Sequence, residues 1–379
     1  MKNDNNNSAV NGVVSYATAK SINDQQFSKY HTKQGHGFSA EDANALSDQL
    51  RGRRVEKVGL NNAKNGADRI VNGIQIQTKY CKTACETVSA AFNNGHYRYP
   101  GMKLEVPADQ YSNAVRLMSK RIAEGQVPGV TDPNMANQIV VKGKYTYSES
   151  VKIAKAGKID SIKFDAKTQV VSCGIACGLS FTVNYLTAKS NGNSHKEAMK
   201  YASKEAAKAG GVTLITGVTA KQLLRTSVGR NFSALVTKCA KHAIDQAWKS
   251  PTGKKIITKL GSGAAGKAIG GAAAKNAFAK AASSNAVTGT VVLIGTAIPD
   301  VYKLCQGKIS GREFAENTTC NAAGIGGGWA GATTGAAIGT CICPGIGTAV
   351  GGFIGGMIGG ISGTAVTKKI FSCFKSKKK

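Results

Sequence analysis

Apolar and polar residues in the first third of the chain alternate with two different periods. Ala43, Leu46 and Leu50 recur every three to four positions, the spacing of one helix face. Ser39 and Asp42 supply an N-cap pattern ahead of them and Gly52 a stop. A helix is therefore predicted over 40–50, with Glu41 in its first turn. Residues 53–60, with Val55 and Val58, read as a strand. Residues 66–79 read as two short strands joined by Asn72-Gly73, the pair that favours a two-residue type I′ turn. That turn sets the register: Val71 faces Ile74, Ile70 faces Gln75, Arg69 faces Ile76 and Asp68 faces Gln77. Side chains alternate along a strand, so Asp68, Gln77 and Lys79 share one face. A helix follows over 82–92, closed by Asn93-Asn94-Gly95, then a strand over 102–106. An amphipathic helix over 107–124 starts on Pro107 and turns Val115, Leu117, Met118 and Ile122 inward. Residues 125–133 form a loop, and 146–156 a further short helix.

The later pattern is different in kind. Residues 169–188, 281–299 and 317–367 contain no charged residue. The first is long enough to span a bilayer, but its Ser, Thr, Asn and Gly content also suits a buried helix. Residues 195–209 read as a basic helix, and 210–220 as an apolar run too short to span alone. Residues 254–280, rich in Ala, Gly and Lys, suit an anionic surface. In the last stretch Gly331, Gly335 and Gly339 recur every four residues. Beyond Pro344-Gly345, so do Gly347, Gly351, Gly355, Gly359 and Gly363, with Gly352, Gly356 and Gly360 alongside. On helices this makes smooth faces that let backbones approach closely in lipid. In water such glycine density costs about 1 kcal/mol per residue relative to Ala. The segment resembles a glycine-zipper transmembrane hairpin over 317–367, able to anchor the chain or build a homo-oligomer; a compact soluble glycine-rich bundle is the alternative. Lys368, Lys369, Lys375 and Lys377 to Lys379 follow, which keeps the tail cytoplasmic under the positive-inside rule.

Charge narrows the choice of partner. The 379 residues carry 50 Lys and Arg against 21 Asp and Glu, a formal net charge of +29. A surplus of that size points to a polyanion, either nucleic acid or an anionic membrane surface, with a ribosomal-type basic protein as the plain alternative. Ten cysteines in a chain of this length are too sparse for a disulfide scaffold. Without any CxxC pair, the CxxxC spacings at Cys81/Cys85 and Cys173/Cys177 argue only weakly for zinc. The polar, Asn-rich start gives no signal-peptide pattern, so a cytoplasmic N-terminus is expected. The expected organisation is a flexible 1–34, an α/β domain over 35–165, a helical Ala/Gly/Lys-rich region over 166–310, and a glycine-zipper hairpin with a basic tail over 311–379.

The order helix, strand, strand, strand, helix, strand, helix, with Glu41 on the first helix, Asp68 opening the hairpin and Gln77-Thr78-Lys79 closing it, resembles the restriction-endonuclease-like (PD-(D/E)XK) superfamily. The likeness covers about 35–125 and is to members with glutamine before the lysine. It implies an α/β domain with a mixed sheet, followed here by a mainly α-helical region with membrane helices. It also implies metal-dependent hydrolysis of phosphodiester bonds in DNA or RNA. Asp68 would hold Mg²⁺ or Mn²⁺ with Gln77 and Glu41, since hard cations take oxygen ligands. Lys79 would orient or deprotonate the attacking water. Lys64 and Arg69 would hold phosphates. Arg98 and Lys103, interleaved with Tyr97 and Tyr99, read equally as a nucleic-acid contact or a hairpin surface. His36, beside the helix of Glu41, is a further candidate. Two functions follow. One is a nuclease at the bacterial inner membrane with its N-terminal domain in the cytoplasm, in a phage-defence or toxin role, or wholly cytoplasmic if the bundle is soluble. The other is a membrane-permeabilising effector whose N-terminal domain binds nucleic acid, or senses, without cutting.

Overall fold

The computed structural model describes residues 27–58, 65–265 and 269–342, with 355, 358, 359, 362, 363 and 365–367. Lys64, the break at Pro344-Gly345 and the terminal lysines lie outside the described residues. The chain divides into two compact units, Gln25–Phe164 and a helical one from Asp165 onward.

The first unit begins with α1 (Phe27–Tyr30) and α2 (Gly35–Leu50). Helix α2 starts five residues before the expected position. Ser39 is therefore not its cap; it lies buried inside the helix, donating to the carbonyl of Ser150 at 2.7 Å, and Glu41 falls in the second turn. Strands β1 (Val55–Lys57), β2 (Arg69–Val71) and β3 (Ile74–Thr78) follow. Asn72 and Gly73 have φ of 50° and 84°, as a type I′ turn demands. The β2–β3 register is Arg69 with Ile76, Ile70 with Gln75 and Val71 with Ile74, as the turn predicts.

Helix α3 (Ala84–Ser89) is capped by the Thr83 side chain. The Asn93-Asn94-Gly95 signal does not merely close it. Asn94 and Gly95, at φ 49° and 78°, make a second tight turn between β4 (Phe92–Asn93) and β5 (His96–Tyr97). Strand β6 (Lys103–Val106) leads to α4 (Tyr111–Ala123). Pro107 stays outside that helix: Gln110 turns back to donate to the carbonyls of Cys81 and Lys82 and precedes the first helical residue. A 3₁₀ turn (Pro133–Met135), α5 (Ala136–Ile139), β7 (Val140–Lys142) and α6 (Tyr147–Ala154) complete the unit, α6 opened by a capping box between Thr146 and Glu149. Strand β7 was not expected.

The sheet order is β1-β2-β3-β6-β7. The first three strands are antiparallel and the last two join in parallel, so the sheet is mixed. Leu104, Val106, Val140, Met118 and Ile122 form its core with Val88 and Tyr97. Full burial of each such aliphatic side chain contributes roughly 1.5–3 kcal/mol.

The second unit is helical among its described residues: α7 (Ile159–Ser190), α8 (His195–Leu224), α9 (Ser227–Trp248), α10 (Pro251–Ala265), α11 (Gly271–Cys305) and α12 (Gly311–Ile342). Among the described residues one helix, α7, is long and apolar enough to cross a membrane. Its described buried residues are Ser161, Phe164, Asp165, Gln169, Ser172, Ala176, Ser180, Asn184 and Ala188, whereas Ile162, Val170, Val171 and Leu186 are exposed. Gly210 and Gly217 of α8 lie against Cys177 and Gln169, where any Cβ would collide. Farther on, Gly327 and Gly331 of α12 meet the backbones of Gly359 and Gly355 with no room for a side chain, and Gly363 likewise meets Ala323. The fourfold spacing thus folds back within one chain as an antiparallel pair.

Candidate functional site

Three separate segments bring the acidic and basic candidates into one cleft of about 630 Å³. Helix α2 contributes Glu41, the start of β2 contributes Asp68, and β3 with the residues after it contributes Gln77 and Lys79. The hairpin fixes the last three. Gln77 Nε2 donates to Asp68 Oδ2 at 2.7 Å, and the Thr78 backbone N–H donates to the same oxygen at 2.8 Å. Asp68 Oδ1 has no hydrogen-bond partner among the described residues. The Lys79 ammonium lies 5.4 Å from the ring centre of Tyr99, within cation–π range.

Both acids resist ionisation. Burial first, and then the nearby Asp68 and Asp42, push the Glu41 carboxyl up to about 8. Burial also raises the Asp68 carboxyl, against the opposing effects of the Thr78 N–H and Lys79. A half-buried pair of carboxylates that resists ionisation gains most from a cation between them. The donor set is hard oxygen, suited to Mg²⁺ or Mn²⁺ and not to a soft metal. Among the described residues no group of three or more His, Cys, Asp and Glu gathers to hold a metal, so the amide of Gln77 would have to complete the set.

Of the candidates outside this cluster, Arg98 and His36 line the cleft. Arg98 is steered by Asn65 Oδ1, at 2.7 and 3.1 Å. The His36 ring sits edge-on to Tyr147, and burial lowers its basicity. Three assignments need correction. Arg69 is only 2% exposed and faces away from the cleft. Its guanidinium bonds Glu105 at 2.5 and 2.8 Å, Thr78 Oγ1 at 3.0 Å and Asp48 at 3.1 Å, so it cannot hold a phosphate. Lys103 is not in the cleft either; its ammonium bonds the carbonyl of Gln138. Tyr97 and Tyr99 are core residues, 4% and 2% exposed, and offer no stacking face to a base. The sequence reading missed Lys29, Gln34, Phe38, Tyr80 and Phe92, all of which line the cleft. No spacing rule distinguishes them from ordinary residues.

Comparison with known proteins defines the classes first. Residues 18–123 match the family model described as YeeR C-terminal domain. Residues 308–366 match one described as C13G5.2-like, glycine zipper domain. The two matches fall on separate parts of the chain, the first over most of the cleft-bearing α/β unit and the second over the glycine-rich stretch. Among individual proteins, it is 54% identical over 100 residues to a protein of Escherichia coli (strain K12) named Inner membrane protein YeeR. That match covers 25% of this chain and 20% of the relative, so the chain spans about a fifth of the curated relative's length. No solved structure matches the chain.

Proposed function

We propose that the chain is a membrane-tethered, metal-dependent nuclease whose α/β unit hydrolyses phosphodiester bonds of DNA or RNA. The observation that carries this reading is the convergence of Glu41, Asp68, Gln77 and Lys79 on one cleft. The mixed sheet, with three antiparallel strands followed by two parallel ones, supports a restriction-endonuclease-like fold. Asp68 and Glu41 would hold Mg²⁺ or Mn²⁺, with Gln77 lending an amide oxygen after its side chain turns. The ion would supply Lewis-acid stabilisation of the phosphate. Lys79 would orient the attacking water or take up its proton, and Arg98 would hold a phosphate. Residence at the bacterial inner membrane, with the α/β unit in the cytoplasm, is supported by the relative's name and the glycine-zipper match. The exposed Val170, Val171 and Leu186 of α7 support it too. Self-association through the zipper belongs to the same proposal.

The zipper match and the inner-membrane relative also favour a second reading. In it the helical unit permeabilises the membrane and the α/β unit binds nucleic acid without cutting. The amide of Gln77, a weaker ligand than a carboxylate, points the same way. Full-length protein in detergent, incubated with plasmid DNA and with RNA in Mg²⁺ or EDTA, separates the two. The nuclease reading expects cleavage in Mg²⁺ alone, and a fall of roughly 10²–10⁴-fold in Lys79→Ala and at least as large a fall in Asp68→Ala. Cleavage that persists in both variants removes the site. Leakage of dye-loaded vesicles without any cleavage supports the second reading.

A further inference from the structure

Lys29 lies in the part of the chain that composition assigns to a flexible terminus, yet the fold holds it tightly. Tyr30 is 6% exposed and donates its hydroxyl to Asp42 Oδ2 at 2.7 Å. The backbone N–H and the hydroxyl of Thr32 both donate to the Lys29 carbonyl, at 3.1 and 2.8 Å. Gly35, the first residue of α2, lies so close to the Tyr30 carbonyl that any Cβ would collide with it. These contacts pin α1 over the start of α2. The Lys29 ammonium then rests 4.8 Å from the centre of the Phe38 ring, and both residues line the cleft with Glu41 and Asp68. Lys33, four residues on, is exposed and is not part of the cleft lining.

The cleft therefore has cations from two separate parts of the chain. Lys79 and Arg98 share the Tyr99 ring, each 5.4 Å from its centre, on the side built by β3 and the residues after β5. Lys29 stands with Phe38 on the side built by α1 and α2. A ring face holds an ammonium in place without neutralising it, so its N–H groups remain able to bind an anion. A nucleic-acid strand with one phosphate at Asp68 and Glu41 carries further phosphates in both directions. Arg98 is placed to take one.

We propose that Lys29, held over Phe38, binds a neighbouring phosphate of the same nucleic-acid strand and so defines the path of the substrate across the cleft. This inference rests on the nuclease reading of the site. It adds a binding residue that the residue order of the Asp68 hairpin does not contain.

The test is oligonucleotide binding by full-length protein in detergent, with EDTA present to block cleavage, over a range of salt concentrations. DNA and RNA probes of several sequences are used. Lys29→Gln should raise Kd roughly three- to tenfold on every probe and make the slope of log Kd against log salt shallower by about one. Lys29→Arg should retain the wild-type slope, and Lys33→Gln should match wild type in both measures. If wild type binds and Lys29→Gln is indistinguishable from Lys33→Gln, the Lys29 assignment is overturned and the nuclease reading stands. If wild type binds none of the probes, both are overturned.

Discussion

Residues 1–164 carry 23 Lys and Arg against 14 Asp and Glu, whereas residues 165–379 carry 27 against 7. Most of the charge surplus thus belongs to the helical part of the chain and not to the part that holds the cleft. The two parts also bury opposite things. In the α/β unit the core is Leu104, Val106, Val140, Met118 and Ile122, and its buried charges close on one another, as Arg69 does with Asp48 and Glu105. Among the described residues of α7 from Asp165 onward the buried ones are polar or small, with Gln169 fully buried and without a hydrogen-bond partner among them, while Val171 is 68% exposed. Water rewards the first arrangement. Lipid rewards the second, because a hydrocarbon surround removes the gain from hiding valine and leaves close packing of small residues as the driving force. The lesson is that a net charge of +29 need not mark a nucleic-acid protein throughout. A basic surplus beside exposed apolar helices can meet an anionic bilayer surface as well as a nucleic acid.

Three measurements would break or sharpen that contrast. The largest effect is expected from Arg69→Met, which leaves Glu105 buried without its cation and Asp48 with Arg53 alone. It should destabilise the α/β unit by about 3–5 kcal/mol. Trp248 and Trp329 are the only tryptophans and both lie in the helical part. Urea unfolding followed by far-ultraviolet dichroism should therefore shift, while tryptophan fluorescence does not. A loss below about 1 kcal/mol would mean that this charge set is not a closed one. Next in size is Gly359→Leu, which forces a side chain against the Gly327 backbone. A loss of about 1–3 kcal/mol is expected, read by tryptophan fluorescence. An unchanged transition would remove the zipper contact.

The third effect is a change with pH. The Glu41 carboxyl titrates at about 8 in the folded protein against 4.5 when unperturbed, chiefly through burial. The folded state therefore keeps a proton that the unfolded chain releases between those values. This contribution to stability is complete below the unfolded value and is lost as pH rises through the folded one. Glu41→Gln cannot lose it. The variant should gain on wild type in urea midpoint as pH rises from 4.5 to about 8, with no further gain above that. Parallel curves would mean that Glu41 is not held in a proton-retaining environment.

What the sequence made legible was local. Asn72-Gly73 carries its own turn chemistry, so the hairpin, its register and the shared face of Asp68 and Gln77 could be read directly. The start of α2 could not, because it depends on Gly35 fitting under the Tyr30 carbonyl. Strand β7 is three residues long and owes its existence to pairing with β6. The case of Arg69 is instructive. The same alternation that placed Asp68 with Gln77 places Arg69 with buried Ile76, so its burial was legible. Its partners Asp48 and Glu105, 21 and 36 residues away, were not. Lys29 had no local signal at all. In the zipper the fourfold spacing was visible, but only the fold pairs Gly327 with Gly359 and Gly331 with Gly355.

The Arg69 guanidinium has one more consequence. It joins β2, β3, β6 and α2 through Thr78, Glu105 and Asp48. Asp68 is its neighbour in sequence, Lys79 is the neighbour of Thr78, and Glu41 stands two turns before Asp48 on the same helix. A single buried knot therefore sets the spacing of the groups that line the cleft. The entropy of bringing them together is lost when the chain folds and not when a ligand arrives. An incoming group therefore meets Asp68, Lys79 and Glu41 already gathered.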